Sequence, residues 1–525
     1  MQKTVAVLGG GIGGLSACFH LSKSHQVSKI VLLEGDGRFG GWLSSTRRED
    51  GAVFEHGPRG IRPAGAVGRN TLNMVEELGL ESEVLPVTYD HVASKNRYLY
   101  VGGQLHKMPS GLGGVVRTVP PFSRPLVQSV LKEILISRGK EEDESVHSFV
   151  SRRLGTELAD IAIDSLCRGV FAGDCRKLSV RSCLPPLYNA EKARGSIILG
   201  MLLGPGPGPD VPPSTLTKRA AQENWAQWSL KRGLQNLPEA LEERMRNGGR
   251  VEVHKDTPVM GLSTNGTGWE VRLLEIWGLG HMYVYCHCTG VVVCVFLSCS
   301  LNPVNESTDV CAIDFFLTQI QLEDGTIKAD HIIAALPAKA LASALLTAAQ
   351  PLSQQLREIA TVTVAVVNLE YEGSVLPVTG FGHLVPSSED RGLLGVVYDS
   401  VPFPQHNRTG EPTTRLTVML GGAWFQEVFG NPEEVTEQLL LDRATQAVTS
   451  HLGVTTPPIW SIVALLKDCI PQYYLGHWKR LENMRQYIRD HNLPLSLAGS
   501  SYDGVSVNDV IFSGRTAAEG LVGKV

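Results

Sequence analysis

Thr4-Val5-Ala6-Val7-Leu8-Gly9-Gly10-Gly11-Ile12-Gly13-Gly14 decides the fold. The first five residues are an apolar run of strand length, and the glycines follow without a spacer. Beyond them Leu15, Cys18 and Leu21 fall on roughly one face of a helical pattern. Ile30-Val31-Leu32-Leu33 then reads as a second buried strand, ending at Glu34. Strand, glycine turn, helix and strand with an acid at the tip form a dinucleotide cradle. Gly9 makes the tight turn, Gly11 lets a pyrophosphate approach the backbone, and Gly14 lets the helix pack closely on the strand. Gly10, Ile12 and Gly13 complete the turn, whose free N–H groups and helix dipole favour an anion. Glu34 can accept hydrogen bonds from ribose hydroxyls and would repel a 2′-phosphate, which argues against NADP.

The turn alone does not separate FAD from NAD. Arg38-Phe39-Gly40-Gly41-Trp42 adds a second glycine pair just after Glu34 and Gly35, and Gly51-Ala52-Val53-Phe54-Glu55 and Gly57-Pro58-Arg59-Gly60 follow. Near the other end come Leu497-Ala498-Gly499-Ser500, Gly504-Val505-Ser506-Val507-Asn508-Asp509, Ser513-Gly514 and Ala517-Ala518. This order resembles the amine-oxidase and protoporphyrinogen-oxidase group of flavoproteins. In that group the second loop covers the FAD pyrophosphate, the Gly-Pro turn reaches the flavin, and the closing segment completes the site. Three further strings narrow the resemblance to the animal protoporphyrinogen-oxidase branch. They are Cys167-Arg168-Gly169-Val170-Phe171-Ala172-Gly173, Phe381-Gly382-His383-Leu384-Val385-Pro386-Ser387-Ser388, and Ile470-Pro471-Gln472-Tyr473 with Gly476-His477-Trp478.

The fold expected is α/β: a Rossmann-like FAD-binding domain, a mixed-sheet substrate domain and a helical, membrane-associating region. The FAD domain would be built from residues 1–87, 215–336 and 488–525, the substrate domain from 88–109 and 337–487, and the helical region from 110–214. Apolar stretches at Val127–Ile136 and Ile197–Leu203 are too short to span a bilayer, which needs about twenty residues. The residues alone read them as core helices, whereas the resemblance makes them a monotopic contact. A strand that begins by Thr4 leaves no room for a removable presequence.

Composition excludes other classes. At 525 residues, 43% hydrophobic and 19% charged, the chain is globular and multidomain. A net charge of −5 without a long basic run leaves no footprint for nucleic acid. Cys18, Cys167, Cys175, Cys183 and Cys469 are scattered and are expected to be reduced and structural. The pattern breaks at Leu274. Residues 274–320 separate Gly268–Leu273, read as a strand, from Gln321–Ile327, read as a turn into a strand over Ala329–Leu336. From Ile276 to Asn305 there is no Asp, Glu, Lys or Arg. The hydropathy permits a span, but a single span would put two paired strands on opposite sides of a membrane. Cys286, His287, Cys288, Cys294 and Cys299 match no zinc spacing, so no metal site is expected. Asn305-Glu306-Ser307 is a formal sequon with no signal peptide to give it meaning. The segment reads as sequence added at a splice junction that contributes nothing to catalysis.

The resemblance implies oxidation of protoporphyrinogen IX to protoporphyrin IX, with oxygen as acceptor and hydrogen peroxide as by-product. It places Val259 backbone at the adenine and Arg59 beside the flavin. Arg97 would hold a propionate, Phe381 and Leu384 would pack on the macrocycle, Met419 would line the pocket, and the Gly169 carbonyl would orient pyrrole N–H groups. It further implies a homodimer on the intermembrane-space side of the mitochondrial inner membrane. An amine or polyamine oxidase, and a flavoprotein left inactive by the 274–320 segment, remain open alternatives.

Overall fold

The computed structural model describes residues 3–204, 211–264, 269–273, 326–345 and 349–524. Lys3–Leu8 is the first strand, and Ile12–Leu21 is the helix after the glycine turn. The strand pairs in parallel with Val27–Leu33 on one side and His331–Ala334 on the other. Val251–His254 extends the sheet beyond Val27–Leu33, and Leu495–Leu497 extends it beyond His331–Ala334. One open parallel sheet is thus assembled from distant parts of the chain.

Such strands are covered on both faces, which explains their continuous apolar runs. Val5, Val7 and Leu32 share a core with Leu15 and Cys18, with Leu237 and Leu241 of the helix Asn236–Gly248, and with Ile511 of the helix Val507–Val522. Ala6, Leu8, Val31 and Leu33 face a second core with Leu341, Leu352, Leu356, Leu481 and Met484. The stretch 337–487, assigned to the substrate domain from the sequence, contributes to both sheets. Its helices Ala338–Ala344, Gln350–Arg357 and His477–Asp490 supply those leucines and Met484 to the dinucleotide sheet, whose alternating side chains left that face bare.

A second sheet has seven strands in the order Trp460–Pro471, Thr361–Glu372, Thr413–Gly422, Leu393–Val397, Gly382–Leu384, Tyr98–Val101 and Gln104–Lys107. It is mixed: Gly382–Leu384 runs parallel to Tyr98–Val101, and the other pairs are antiparallel. One face packs on the helix Glu437–Leu452 through Ala365, Val367, Leu416, Val418, Leu440 and Val448. The other carries Val364, Val366, Leu394 and Met419.

The expected helical region contains Leu126–Leu135, Val146–Leu154, Asp164–Phe171, Pro185–Arg194 and Ile197–Leu202. Among the described residues no helix is long and apolar enough to cross a membrane. Trp269–Leu273 pairs antiparallel with Thr326–Ala329, with Arg272 opposite Thr326, so the strands flanking the insertion meet as hairpin partners. The second strand starts at Thr326 rather than at the expected Ala329. Asp330 separates it from His331–Ala334, and the Asp330 carboxylate accepts from Thr4 N–H at 2.7 Å. The readings made for residues 274–320 lie outside the described residues. Cys18, Cys167, Cys175, Cys183 and Cys469 are unpaired, and burial pushes their thiols up.

Candidate active site

Gly9 sits at φ +96°, a left-handed backbone that glycine adopts freely, and its N–H donates to Leu33 O at 2.8 Å. A Cβ on Gly14 would overlap Gly9 O, so the helix lies hard against the strand only because that atom is missing. Gly11 differs. A Cβ added there meets no protein atom within 4 Å, so the protein's own packing does not need the space it leaves. Gly11 also begins the helix without any side-chain cap, which leaves the first N–H groups available to an anion. These two facts fit a pyrophosphate.

Glu34 is tied into the same turn. One carboxylate oxygen accepts from Gly10 N–H at 2.7 Å and the other from Asp36 N–H at 2.9 Å. Each oxygen keeps a second lone pair for a further donor. Thr257 N–H donates to Glu34 O at 2.8 Å, and Pro258 lies against Gly35, which brings Val259 to this end of the cradle.

The second loop folds over the first. Gly40 N–H donates to Gly10 O at 2.9 Å, and Gly41 faces Gly11. The Arg38 guanidinium donates to the carbonyls of Phe39, Gly41 and Leu43 and holds the loop in shape. Trp42 is exposed, and its carbonyl occupies the place where a Gly57 side chain would stand, so Gly57-Pro58-Arg59-Gly60 runs directly past it.

The C-terminal helix Val507–Val522 closes the site. Ser16 Oγ donates to Ile511 O at 2.6 Å, and a Cβ on Gly514 would overlap Gly13 O. A Cβ on Gly13 would stand 3.1 Å from Val510, so the N-termini of the two helices are adjacent. Ser506 caps the closing helix by accepting from Asp509 N–H, which places Val505, Ser506 and Val507 at this second helix start. Tyr473 OH donates to Ser500 O at 2.5 Å and accepts from Gly504 N–H at 2.9 Å.

Behind the Gly-Pro turn is a polar network that local sequence does not announce. Buried Arg59 has Nε 3.6 Å from Asp399 Oδ1 and donates from Nη2 to Gly57 O at 3.3 Å. Its buried Nη1 has no partner among the described residues. An unpaired buried guanidinium N–H is costly and fits a ligand acceptor. Thr417 Oγ1 donates to Asp399 at 2.6 Å, and Arg415 donates to Val53 O and Phe403 O at 2.8 Å. Burial lowers Arg415 to about 10. Glu55 accepts from Ser45 Oγ and Leu234 N–H, both at 2.7 Å, and burial raises its carboxyl to about 7.

The residues expected from the sequence to meet the substrate gather along the mixed sheet. Arg97 precedes Tyr98–Val101, is exposed, and has its guanidinium carbon 5.6 Å from the Phe381 ring centre. Partial desolvation, together with the charge of Arg62, holds its pKa below the usual guanidinium value. Leu384 pairs with Leu99 and with Gly395, which in turn pairs with Met419. Leu384, Gly395 and Met419 therefore form one cross-strand row. Leu384 Cδ2 would lie only 2.7 Å from a Cβ on Gly169, so that helix touches the row where it has no side chain. Buried Arg168 fixes this contact: Nε donates to Val385 O at 2.9 Å, and Nη2 donates to Asp390 O and Leu393 O at 2.6 and 2.8 Å. Asp164 accepts from Ser387 N–H at 2.6 Å. Arg168 is a missed positioning residue whose only sequence signal was its place beside Gly169.

Residues 12–295 and 303–522 match the flavin containing amine oxidoreductase family. The chain belongs to that family. Its cofactor is FAD. The chain is 49% identical to the protoporphyrinogen oxidases of Macaca fascicularis and Homo sapiens over 524 residues, covering 100% of this chain and 99% of each relative. The solved structure of a protein from Exiguobacterium sp. 255-15 is 21% identical, covers 99% of both chains and superposes with a TM-score of 0.71, which shows the shared fold.

Proposed function

We propose that this chain oxidises protoporphyrinogen IX to protoporphyrin IX, with oxygen as electron acceptor, in the penultimate step of haem formation. The observation that carries this reading is the 49% identity to mammalian protoporphyrinogen oxidases over the entire chain. Gly9, Gly10, Gly11, Ile12, Gly13 and Gly14 would hold the FAD pyrophosphate, Glu34 and Gly35 the ribose, and Val259 the adenine. Trp42, Gly57, Pro58, Arg59, Gly60, Ser500, Val505, Ser506 and Val507 would hold the flavin end. Bound there, FAD would supply a two-electron acceptor that oxygen can reoxidise, so removing six electrons would take three rounds.

The chain's own residues bind and orient. Arg97, whose guanidinium has no hydrogen-bond or ion-pair partner among the described residues, would meet a propionate in a charge-assisted contact that can be bidentate. Phe381, Leu384 and Met419 form an apolar floor that keeps water from the macrocycle. The Gly169 carbonyl accepts pyrrole N–H groups, and the proton lost from a pyrrole nitrogen passes to water without a side-chain base. Exposed Leu131, Leu135, Leu202 and Leu203 support a monotopic membrane contact for the helical region, since large exposed apolar patches mark interaction surfaces. A homodimer on the intermembrane-space face of the mitochondrial inner membrane completes the reading.

The test is direct. The purified yellow protein, mixed with protoporphyrinogen IX in air, should consume oxygen and develop porphyrin fluorescence faster than the spontaneous rate. Rapid oxidation of a polyamine with no gain in porphyrin fluorescence would replace this reading with an amine oxidase.

A further inference from the structure

A cavity of about 500 Å³ lies in the helical region, away from the dinucleotide cradle and the substrate row. Its walls come from the Phe122–Leu126 turn, from the helix Leu126–Leu135, and from Ser151–Leu158. Phe122, Ile136, Leu154 and Leu158 make part of the wall apolar. The polar part carries charges of both signs, and they differ in how they are paired. Arg152 and Arg153 are already neutralised: Arg152 pairs with Glu144 and Glu191, and buried Arg153 with Glu133. Glu157, the acid of the wall, is occupied by Ser123, whose N–H donates at 2.8 Å and whose hydroxyl donates at 3.1 Å. Arg124 and Lys132 have no carboxylate partner among the described residues, so they are the two cations of the wall left free for an anion. Two wall residues also hold buried polar atoms without a partner among the described residues, Ser151 Oγ and Arg153 Nε.

The surroundings say what kind of anion fits. The helix that contributes Gln128 and Lys132 to the cavity exposes Leu131 and Leu135, at 61% and 87%. The neighbouring helix Ile197–Leu202 exposes Met201 and Leu202, with Leu203 just beyond it. Buried Glu133 locks the two helices together by accepting from Ile197 N–H at 2.7 Å and Ser196 Oγ at 2.5 Å, while it also pairs with Arg153. A phosphate-sized anion in the cavity would thus sit beside a fixed apolar ridge. That is the layout of one amphiphile, with a charged head and apolar tails.

We propose that this cavity binds the phosphodiester headgroup of an anionic phospholipid, with Arg124 and Lys132 as its cationic contacts. The inference rests on the membrane contact proposed above and adds a lipid preference to it. Free phosphate shares the headgroup chemistry but has no use for the ridge.

The experiment is vesicle flotation of the full-length holoprotein with phosphatidylcholine alone and with phosphatidylcholine plus phosphatidylglycerol. The unaltered protein should bind both and prefer the anionic vesicles. Arg124→Ala/Lys132→Ala should weaken binding to anionic vesicles about thirty-fold, from about a factor of five per cation, and leave binding to neutral vesicles and flavin content unchanged. Arg138→Ala/Lys140→Ala removes the same charge from exposed positions outside the cavity wall and should lose much less. Equal losses in the two variants would mean diffuse attraction and overturn the site. An unchanged anionic preference in Arg124→Ala/Lys132→Ala overturns it too, while leaving the membrane contact standing. Binding of glycerol phosphate in solution as tight as binding to vesicles would make it a free-phosphate site and overturn the lipid assignment. If the unaltered protein floats with neither vesicle, the headgroup site and the membrane contact fall together. Leu131→Ser/Leu135→Ser should weaken binding to both vesicle types alike, which ties the ridge to the membrane rather than to charge.

Discussion

Glu55 lies beneath the Gly-Pro turn with its carboxyl raised from 4.5 to about 7, chiefly by burial. Below pH 4.5 the acid is neutral in both the folded and the unfolded chain. Between 4.5 and about 7 the unfolded chain gives up the proton while the folded chain keeps it, so stability falls as pH rises. Above about 7 both are ionised and the loss is complete. At about 1.4 kcal/mol per pH unit the loss amounts to roughly 3 kcal/mol. Glu55→Gln should remove it without breaking contacts. A glutamine can still accept from Leu234 N–H and donate to Ser45 Oγ, the two groups that Glu55 meets now. The measurement is urea unfolding of the holoprotein and the variant in parallel from pH 4.5 to 8, plotted as a difference so that other titrations cancel. The variant should gain about 3 kcal/mol relative to the unaltered chain across that range. A difference that stays flat with pH would show that Glu55 ionises normally in the fold, and the argument from burial would be wrong.

Three further outcomes follow from the geometry. Gly11→Val should give a folded protein that purifies colourless, because the valine fills space that no protein atom uses; a full flavin complement would disprove the cradle. Arg97→Ala should raise the Michaelis constant for protoporphyrinogen about ten- to a hundred-fold and leave flavin content alone, the loss expected for one charged hydrogen bond; an unchanged constant would remove Arg97 from the site. Deleting residues 274–320 should leave flavin content and turnover intact, since the flanking strands already pair with Arg272 opposite Thr326; loss of flavin would make that segment part of the working protein.

The dinucleotide half was legible because each glycine acts on neighbours a few residues away. Gly9 and Gly14 meet inside one turn, and Glu34 reaches Gly10 across a single strand–helix–strand unit. The substrate half was legible only through resemblance. The Gly169–Leu384 contact joins a helix to a strand more than two hundred residues later, and no periodicity announces it. The network of Arg59, Asp399, Thr417 and Arg415 was invisible for the same reason, since Arg415 donates to Val53 across 362 residues. No break in composition marks the Ala338–Ala344 and Gln350–Arg357 helices as the cover of the first sheet. They belong with the first sheet only because its alternating side chains needed a cover.

The way the parallel sheet is strung together also bears on how the protein is made. Its first strand is synthesised hundreds of residues before its partner His331–Ala334 and the outer strand Leu495–Leu497, and the helix that seals the glycine turn is Val507–Val522. Domains fold as units during synthesis where they can, and this one cannot. Until those late residues emerge, the face of Ile12–Leu21 that meets Ile511 and Gly514 is bare and the edge of Lys3–Leu8 that meets His331–Ala334 is unpaired. Flavin should therefore be retained only by chains that reach the closing helix Val507–Val522. A stop codon that removes only the last thirty or so residues should accordingly be as damaging as one near the start.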